Sequence, residues 1–330
     1  MNVKTFPLII VCLFLFSSVG FSGATDSLKI IEKKNKKFLK NYPDNVFIPA
    51  GTTTVAVTEG ESIAANLMNS VFSVDNYFMK KGEVTNSDYL AFLNYCRTKD
   101  TSTYVKALPD TLVWRTPLAY NEPYVEYYLR HPSYQTYPVV GVSYQQAKLF
   151  CEWLTKKYNQ NPERVFKKVV YRLPTQYEWV YAAQGGSGRA IYPWNGEYMR
   201  ASNGDLMANC LRFGTEDVYR DTLYEKDYKG EFKEVYIYRT APHRCRSAAC
   251  AIDHTADITA PAVSYRPSPY GLYNMAGNVC EMVEEIGITH GGSWRDPGAY
   301  LQNSARQFYK GENSASSKRG FRYVIEVLEY

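Results

Sequence analysis

The sequence predicts an α+β domain with few helices, short strands and long ordered loops. Three segments carry apolar residues at helical spacing behind a capping residue. A short run, Val46–Gly51 (VFIPAG), reads as an opening strand closed by a turn. From Tyr192 onward the pattern dissolves into loops for most of the remaining chain, and from Gly271 glycines, aromatics and arginines interleave with neither helical nor strand period. At 330 residues, with 45% hydrophobic and 22% charged content, the chain can bury a substantial core. No linker, repeat or low-complexity stretch divides it.

The elements follow in order. Lys4 precedes the apolar run Phe6–Phe16 (FPLIIVCLFLF), which small residues including Ser22, Gly23 and Ala24 follow. This is the pattern of a signal peptide over residues 1–24, cleaved after Ala24, so the chain is expected to be exported. The run is too short to span a bilayer comfortably, and no later segment is apolar enough, so no transmembrane segment is expected. A lipoprotein signal needs a Cys after a small residue at the end of the apolar run. Cys12 follows Val11 inside it, so no recognisable lipid anchor is encoded.

Residues 25–45 form a basic leader, and the domain proper is placed at 46–330. Lys29–Lys40 (KIIEKKNKKFLK) carries much of the +5 net charge. Such a cluster either attracts phosphates and anionic lipid or stands as a solvated leader, and the solvated reading is preferred. Nothing in the chain carries a nucleic-acid motif, so nucleic acid is not expected as a partner.

Thr85 caps the first helix, with Asp88 three residues on, and Tyr89, Phe92, Leu93 and Cys96 repeat on one face. Leu108–Tyr137 is rich in Pro and Tyr and too irregular for a regular element. Ser143 caps a second helix through Tyr158, with Ala147, Phe150, Cys151 and Leu154 inward. Thr175, after Pro174, caps a third (QYEWVYAA), which Gly185 and Gly186 stop. Loops as long as those after Tyr192 need aromatic packing, metal or disulfides to order them. The thirty tyrosines suit loop packing and contact surfaces alike, loop packing being preferred. Without Cys12, six cysteines remain: Cys96, Cys151, Cys210, Cys245, Cys250 and Cys280. Some are able to pair in an oxidising compartment, and Cys245 and Cys250 lie close enough to close a small loop, but connectivity stays open. Their scattered spacing argues against zinc.

These segments, in this order, resemble the formylglycine-generating enzyme (sulfatase-modifying factor) family. The text that carries the resemblance begins with FIPAG at Phe47, KKGEVTNSDYLAF at Lys80, YPVVGVSYQQAKLFCEWL at Tyr137 and YRLPTQYEWVYAAQGG at Tyr171. It continues with YPWNG at Tyr192, ANC at Ala208, GLYNMAGNVCEMVEE at Gly271, GGSWRD at Gly291, SARQFY at Ser304 and RGFRYV at Arg319. The resemblance implies an α+β fold related to C-type lectins, with little regular secondary structure. It also implies oxidation of a substrate cysteine to formylglycine by two active-site cysteines that hold copper. Soft thiolates suit Cu(I). The corresponding positions here are Asp296 and Leu301, and no cysteine follows Cys280. Copper is therefore not expected, the oxidase activity is read as absent, and no catalytic residue is assigned. Arg306, Gly320, Phe321 and Arg322 occupy family motifs, with a scaffold role preferred over substrate binding.

The resemblance further implies a calcium loop through Asn274, Gly277, Val279 and Glu281, all hard oxygen donors. The competing reading is a Gly-rich turn without an ion. A second loop is matched by Asn209 and Cys210, with Asp253 or Asp257 as its acid in an uncertain register. Cys280 stands where the family commonly has Trp. Four scattered histidines exclude the iron-binding sulfoxide synthase branch. The stretch PDT, Trp114, YNEPY at Tyr120 and HPSY at His131 resembles the gliding-motility lipoproteins J and K of Bacteroidota. That likeness implies a non-catalytic, exported structural or interaction protein of a gliding or type IX secretion assembly, periplasmic or associated with the outer membrane. It departs from that group in lacking the lipoprotein Cys and in its shorter length. The alternatives are a formylglycine-generating oxidase and a lectin-like ligand-binding module.

Overall fold

The computed structural model describes residues 21–57, 68–115, 121–188, 190–211, 218–226, 231–240, 256 and 258–330. Helix α1 (Phe21–Asn41) leads into β1 (Asn45–Ile48), a hairpin of β2 (Gly51–Val57) and β3 (Met68–Val74), then β4 (Tyr77–Lys80). Helices α2 (Asn86–Lys99), α3 (Thr101–Ala107), α4 (Glu122–Tyr127) and α5 (Tyr144–Asn159) follow, then β5 (Lys168–Arg172) and α6 (Gln176–Gln184). A ribbon of β6 (Val218–Lys226) and β7 (Phe232–Thr240) comes next. The chain closes with β8 (Cys280–Met282), β9 (Ile288–His290), β10 (Arg306–Phe308), β11 (Arg319–Phe321) and β12 (Val324–Glu329).

The two four-stranded sheets run β1-β4-β12-β5 and β10-β9-β8-β11. In the first, the last strand inserts between early ones, with Ile325 opposite both Phe78 and Tyr171. In the second, β11 lies parallel to β8, with Arg319 opposite Cys280. Since β11 passes into β12 through Arg322 and Tyr323, the chain leaves one sheet for the other at those residues. That crossing sets the position of the site described below.

The three capped helices form for the reasons their sequences give. Thr85, Ser143 and Thr175 each close a capping box with Asp88, Gln146 and Glu178, so two orphan donors are satisfied at each start. α6 ends at Gly185 in the left-handed region (φ 60°), where a Cβ would strike Pro269. Tyr89, Phe92, Leu93 and Cys96 are buried on α2, and Ala147, Phe150, Cys151 and Trp153 on α5. The two helices meet edge to face at Phe92 and Phe150 (5.7 Å), and Phe150 reaches Phe321 at 5.5 Å. Helix packing therefore rests on the strand that carries the closing motif.

Several features differ from the sequence expectation. The Leu108–Tyr137 stretch holds α4 and two short 3-10 turns, at Thr111–Trp114 and Pro132–Tyr134. Buried Trp114 organises it against Tyr128 (4.6 Å), while Asn86 Nδ2 donates to the Tyr128 and Tyr134 carbonyls. The region after Tyr192 holds an unforeseen ribbon, β6–β7, paired from Val218↔Thr240 to Lys226↔Phe232. The leader is a helix that buries Phe38 against Phe78, Tyr158 and Phe166. Cys96, Cys151, Cys210 and Cys280 are buried and unpaired; Cys245 and Cys250 lie outside the described residues. Among those residues no helix is long and apolar enough to cross a membrane.

Candidate functional site

The Gly271–Glu281 text folds into a loop whose backbone turns through four left-handed residues, Gly271 (φ 81°), Asn274 (φ 52°), Gly277 (φ 75°) and Asn278 (φ 63°). Gly277 is required twice over: a Cβ there would lie 2.2 Å from the Asn209 carbonyl oxygen. The loop ties distant segments together. The Gly277 amide donates to Gly291 O, the Asn278 amide to Asn209 O and the Trp294 amide to Asn278 O, each at 2.8 Å.

A charged pair lies beneath it. Arg322, wholly buried, donates from Nη2 to Glu281 Oε1 (2.6 Å) and from Nε to Glu281 Oε2 (2.7 Å). Its remaining N–H groups reach the carbonyls of Lys80, Lys81 and Tyr273 at 2.8–3.1 Å. All five guanidinium donors are thus used, as a buried arginine requires. Trp179 Nε1 donates to Glu281 Oε2 at 2.7 Å. Burial opposes the Arg322 charge, but Glu281 outweighs it and holds the guanidinium above its usual range.

A second buried carboxyl group, Glu83, joins the cluster, and no local pattern in the sequence signals its role. Its oxygens accept from Asn274 Nδ2 (3.2 Å) and Asn278 Nδ2 (2.9 Å). Burial pushes its pKa up to about 8 against the pull of Arg322, with Glu281 adding repulsion. Asn278 is saturated, its Oδ1 accepting from the Ala260 amide at 2.7 Å and its Nδ2 also donating to Ala260 O. Asn274 is not: Nδ2 also reaches Pro261 O (3.1 Å), but the buried Oδ1 has no partner.

That orphaned oxygen tests the calcium expectation. A buried amide oxygen without a donor is a fitting cation ligand, and the carbonyls of Gly277 and Val279 are hard donors on the same turn. Glu281 is more constrained. Its Oε2 already accepts two hydrogen bonds, leaving one lone pair on Oε1. The donor set fits a hard cation held by one carboxylate oxygen and by amide and carbonyl oxygens. Among the described residues no group of three His, Cys, Asp or Glu side chains is placed to hold a metal.

The second loop is built differently. Asn209 Oδ1 already accepts from the Ala256 amide at 3.1 Å, while Nδ2 donates to Ile258 O at 2.7 Å. Cys210 is buried, which pushes its thiol up to about 12. Asp253 and Asp257 lie outside the described residues. The Asn209 side chain fastens the loop, with one lone pair left on its Oδ1.

The positions matching the copper cysteines are both committed to structure. Asp296 is buried and accepts from Ser293 Oγ, while Lys318 Nζ lies 3.3 Å from its Oδ1. Leu301 is fully buried in a cluster with Tyr192, Leu206, Ala208, Cys210 and Ala276. Neither offers a thiolate. The nearby Cys280 thiol is pushed up to about 11, first by burial and then by Asp296. His290 stacks on Trp179 (5.2 Å), and neither ring nitrogen has a partner in good hydrogen-bond geometry. Burial, reinforced by Arg306, lowers its pKa to about 3. Beside the loop lies a shallow surface dent whose wall includes Trp194, Tyr265, Arg266, Asn274 and Met275.

The comparisons with known proteins agree with this frame. The sulfatase-modifying factor enzyme 1-like domain family matches residues 31–327. The chain is 24% identical over 275 residues to the formylglycine-generating enzyme of Mus musculus, covering 74% of this chain and 58% of that protein. It is 26% identical over 200 residues to the inactive C-alpha-formylglycine-generating enzyme 2 of Bos taurus, covering 56% of this chain and 49% of that one. The chain thus spans about half the length of these relatives. The crystal structure of CarF superimposes with a TM-score of 0.51 at 20% identity, covering 87% of this chain and 98% of CarF, a likeness of fold alone. By its sequence over residues 31–327, the chain belongs to the sulfatase-modifying factor enzyme 1-like domain family.

Proposed function

We propose that this chain is a non-catalytic, exported structural or interaction protein, a pseudoenzyme domain serving a gliding-motility or type IX secretion assembly in Bacteroidota. The observation that carries the non-catalytic part is the fate of the two copper positions. Asp296 is locked to Ser293 and Lys318, and Leu301 is core. The relation to an enzyme named inactive supports the same reading. The assembly is suggested by the tyrosine-rich insert around Trp114, which resembles the gliding-motility lipoproteins. Its exposed Tyr127 and Leu112 offer contact surface. In this reading the protein lies in the periplasm or against the outer membrane.

Calcium is proposed as its structural ion, held by Asn274 Oδ1, the Gly277 and Val279 carbonyls and Glu281. When bound, it would supply positive charge beside the buried Glu281–Arg322 pair and the buried Glu83 carboxyl group. The chain's own residues build the frame: Gly277 admits the close backbone approach, and Arg322 fixes Glu281.

Two measurements test the proposal. Incubation of the purified chain with copper, oxygen and a sulfatase-type cysteine peptide should give no formylglycine by mass spectrometry, and turnover would overturn the non-catalytic reading. Affinity purification from outer-membrane fractions should recover secretion-ring proteins, and their absence would remove the assembly role. A ligand-binding module is the second reading, favoured by the concavity walled by Trp194, Tyr265 and Arg266. Saturable binding in a glycan or peptide screen would support it.

A further inference from the structure

We infer that the outer face of α1, with the basic residues around its docking point, is a surface that binds anionic phospholipid bilayers. At 100° per residue, Ile31, Asn35 and Phe38 share the inward face of α1, and Asn35 and Phe38 are buried. Lys29, Lys33, Lys36, Lys37 and Lys40 fall within an arc of about 100° centred opposite that face, over about 16 Å of helix. All five are exposed. The arc is flanked by Glu32, which pairs with Lys36 at 2.7 Å.

The patch extends beyond the helix. Phe38 packs on Tyr158 (6.0 Å) and Phe166 (5.2 Å), so the segments bearing those rings adjoin α1. They present Lys156, Lys157, Arg164, Lys167 and Lys168, all exposed. The Arg164 guanidinium bonds the carbonyls of Lys167 and Asn161, which leaves its charge uncompensated by those contacts. The exposed acids Glu32, Asp44, Glu152, Glu163 and Glu329 are outnumbered. Basic residues of two further segments thus lie in the chain next to the rings on which α1 packs.

Two features favour a bilayer over a nucleic acid or an acidic protein. The charge is almost wholly lysine, a strongly hydrated point charge suited to a diffuse anionic surface, whereas forked recognition of single phosphates favours Arg. Ile30, next to the lysine arc on the same helix, is 58% exposed, and Leu28, nearer the inward face, is 65% exposed. An exposed apolar side chain beside a lysine stripe is what an interfacial helix inserts between headgroups. The inference rests on the export reading only for access to a membrane, and the vesicle test below is independent of it.

The experiment uses the chain purified after export, its N-terminus read by mass spectrometry. Co-sedimentation is measured with vesicles of phosphatidylglycerol and phosphatidylethanolamine, and with phosphatidylcholine vesicles. Binding to the anionic vesicles, absent with phosphatidylcholine and weakened by salt, is expected. Since one lysine near such a surface is worth roughly fivefold, K33E/K37E/K40E should weaken binding at least tenfold. K99E/K106E/K310E changes net charge equally at exposed sites elsewhere and should cost less than threefold. L28S/I30S should reduce the binding that survives high salt. Equal losses in the two charge-reversal triples, no binding to anionic vesicles, or tighter binding to duplex DNA or heparin than to vesicles would each overturn the inference. Matching thermal unfolding of the variants shows that folding is retained.

Discussion

Arg322 and Glu281 meet in two parallel hydrogen bonds of 2.6 and 2.7 Å at the point where the chain leaves one sheet for the other. Neither side chain is more than 1% exposed. Breaking such a pair strands a buried charge, which costs about 3–5 kcal/mol. Arg322→Met should therefore lower stability by that order in urea unfolding, since the buried Glu281 would lose its cation. Arg322→Lys should recover little, because one ammonium cannot reach Glu281 and three carbonyls together. Wild-type stability in Arg322→Met would show that the pair is not a lock.

The unpartnered Asn274 Oδ1 makes the calcium proposal measurable. An ion that binds only the folded chain stabilises it by about 2.7 kcal/mol at a hundredfold excess over Kd. The unfolding temperature should rise with added calcium, fall with chelator, and stop responding in Asn274→Ala. Asn209→Ala should lower stability yet keep the response, because Asn209 Oδ1 is already bonded to the Ala256 amide. A calcium response unchanged by Asn274→Ala would remove this loop as the site.

What the sequence disclosed and what it withheld divide along physical lines. Helix starts at Thr85, Ser143 and Thr175 were legible because a capping box is local, spanning three residues. The closing text was legible as an irregular frame because each glycine marks a backbone constraint. Glu83 was not, since its partners Asn274 and Asn278 are 191 and 195 residues away. A carboxylate between Gly82 and Val84 carries no sign that it will be fully buried. The β6–β7 ribbon was missed because aromatics and charges on both faces blur the alternation of a half-buried strand. Most of the leader's lysines are exposed, while Phe38 on the opposite face docks the helix, and a lone aromatic in a lysine-rich run carries no sign of its distant partners.

His290 gives the structure a defined acid weakness. Its folded pKa is depressed to about 3 from 6.5, chiefly by burial. The unfolded chain therefore takes up the proton first, and stability is lost as pH falls from about 6.5 toward 3. The loss should reach the order of 3 kcal/mol by pH 4. Comparing urea midpoints of the wild type and His290→Leu isolates this contribution. The variant should gain relative to wild type as pH drops from 7 to 4, and parallel profiles would mean that His290 is not held neutral.

Leu301 and Asp296 should respond differently to substitution, because one is core and the other a polar fastening. Leu301 is fully buried against Tyr192, Ala208 and Cys210, and a Cβ on Gly292 would lie 2.7 Å from its Cδ1, so the packing is close on that side. Leu301→Ala should cost about 2–5 kcal/mol through lost transfer energy and the cavity left behind. Asp296→Asn keeps the shape and an acceptor for Ser293 Oγ, and loses only the charge opposite the partly exposed Lys318. Exposed pairs of that kind contribute up to about 1 kcal/mol, and the cost should stay in that range. A position that served as a reactive, solvent-reached thiol would tolerate truncation to Ala almost freely. Urea unfolding of the two variants therefore discriminates: a loss below about 0.5 kcal/mol in Leu301→Ala would place the side chain outside the core and reopen the position to chemistry.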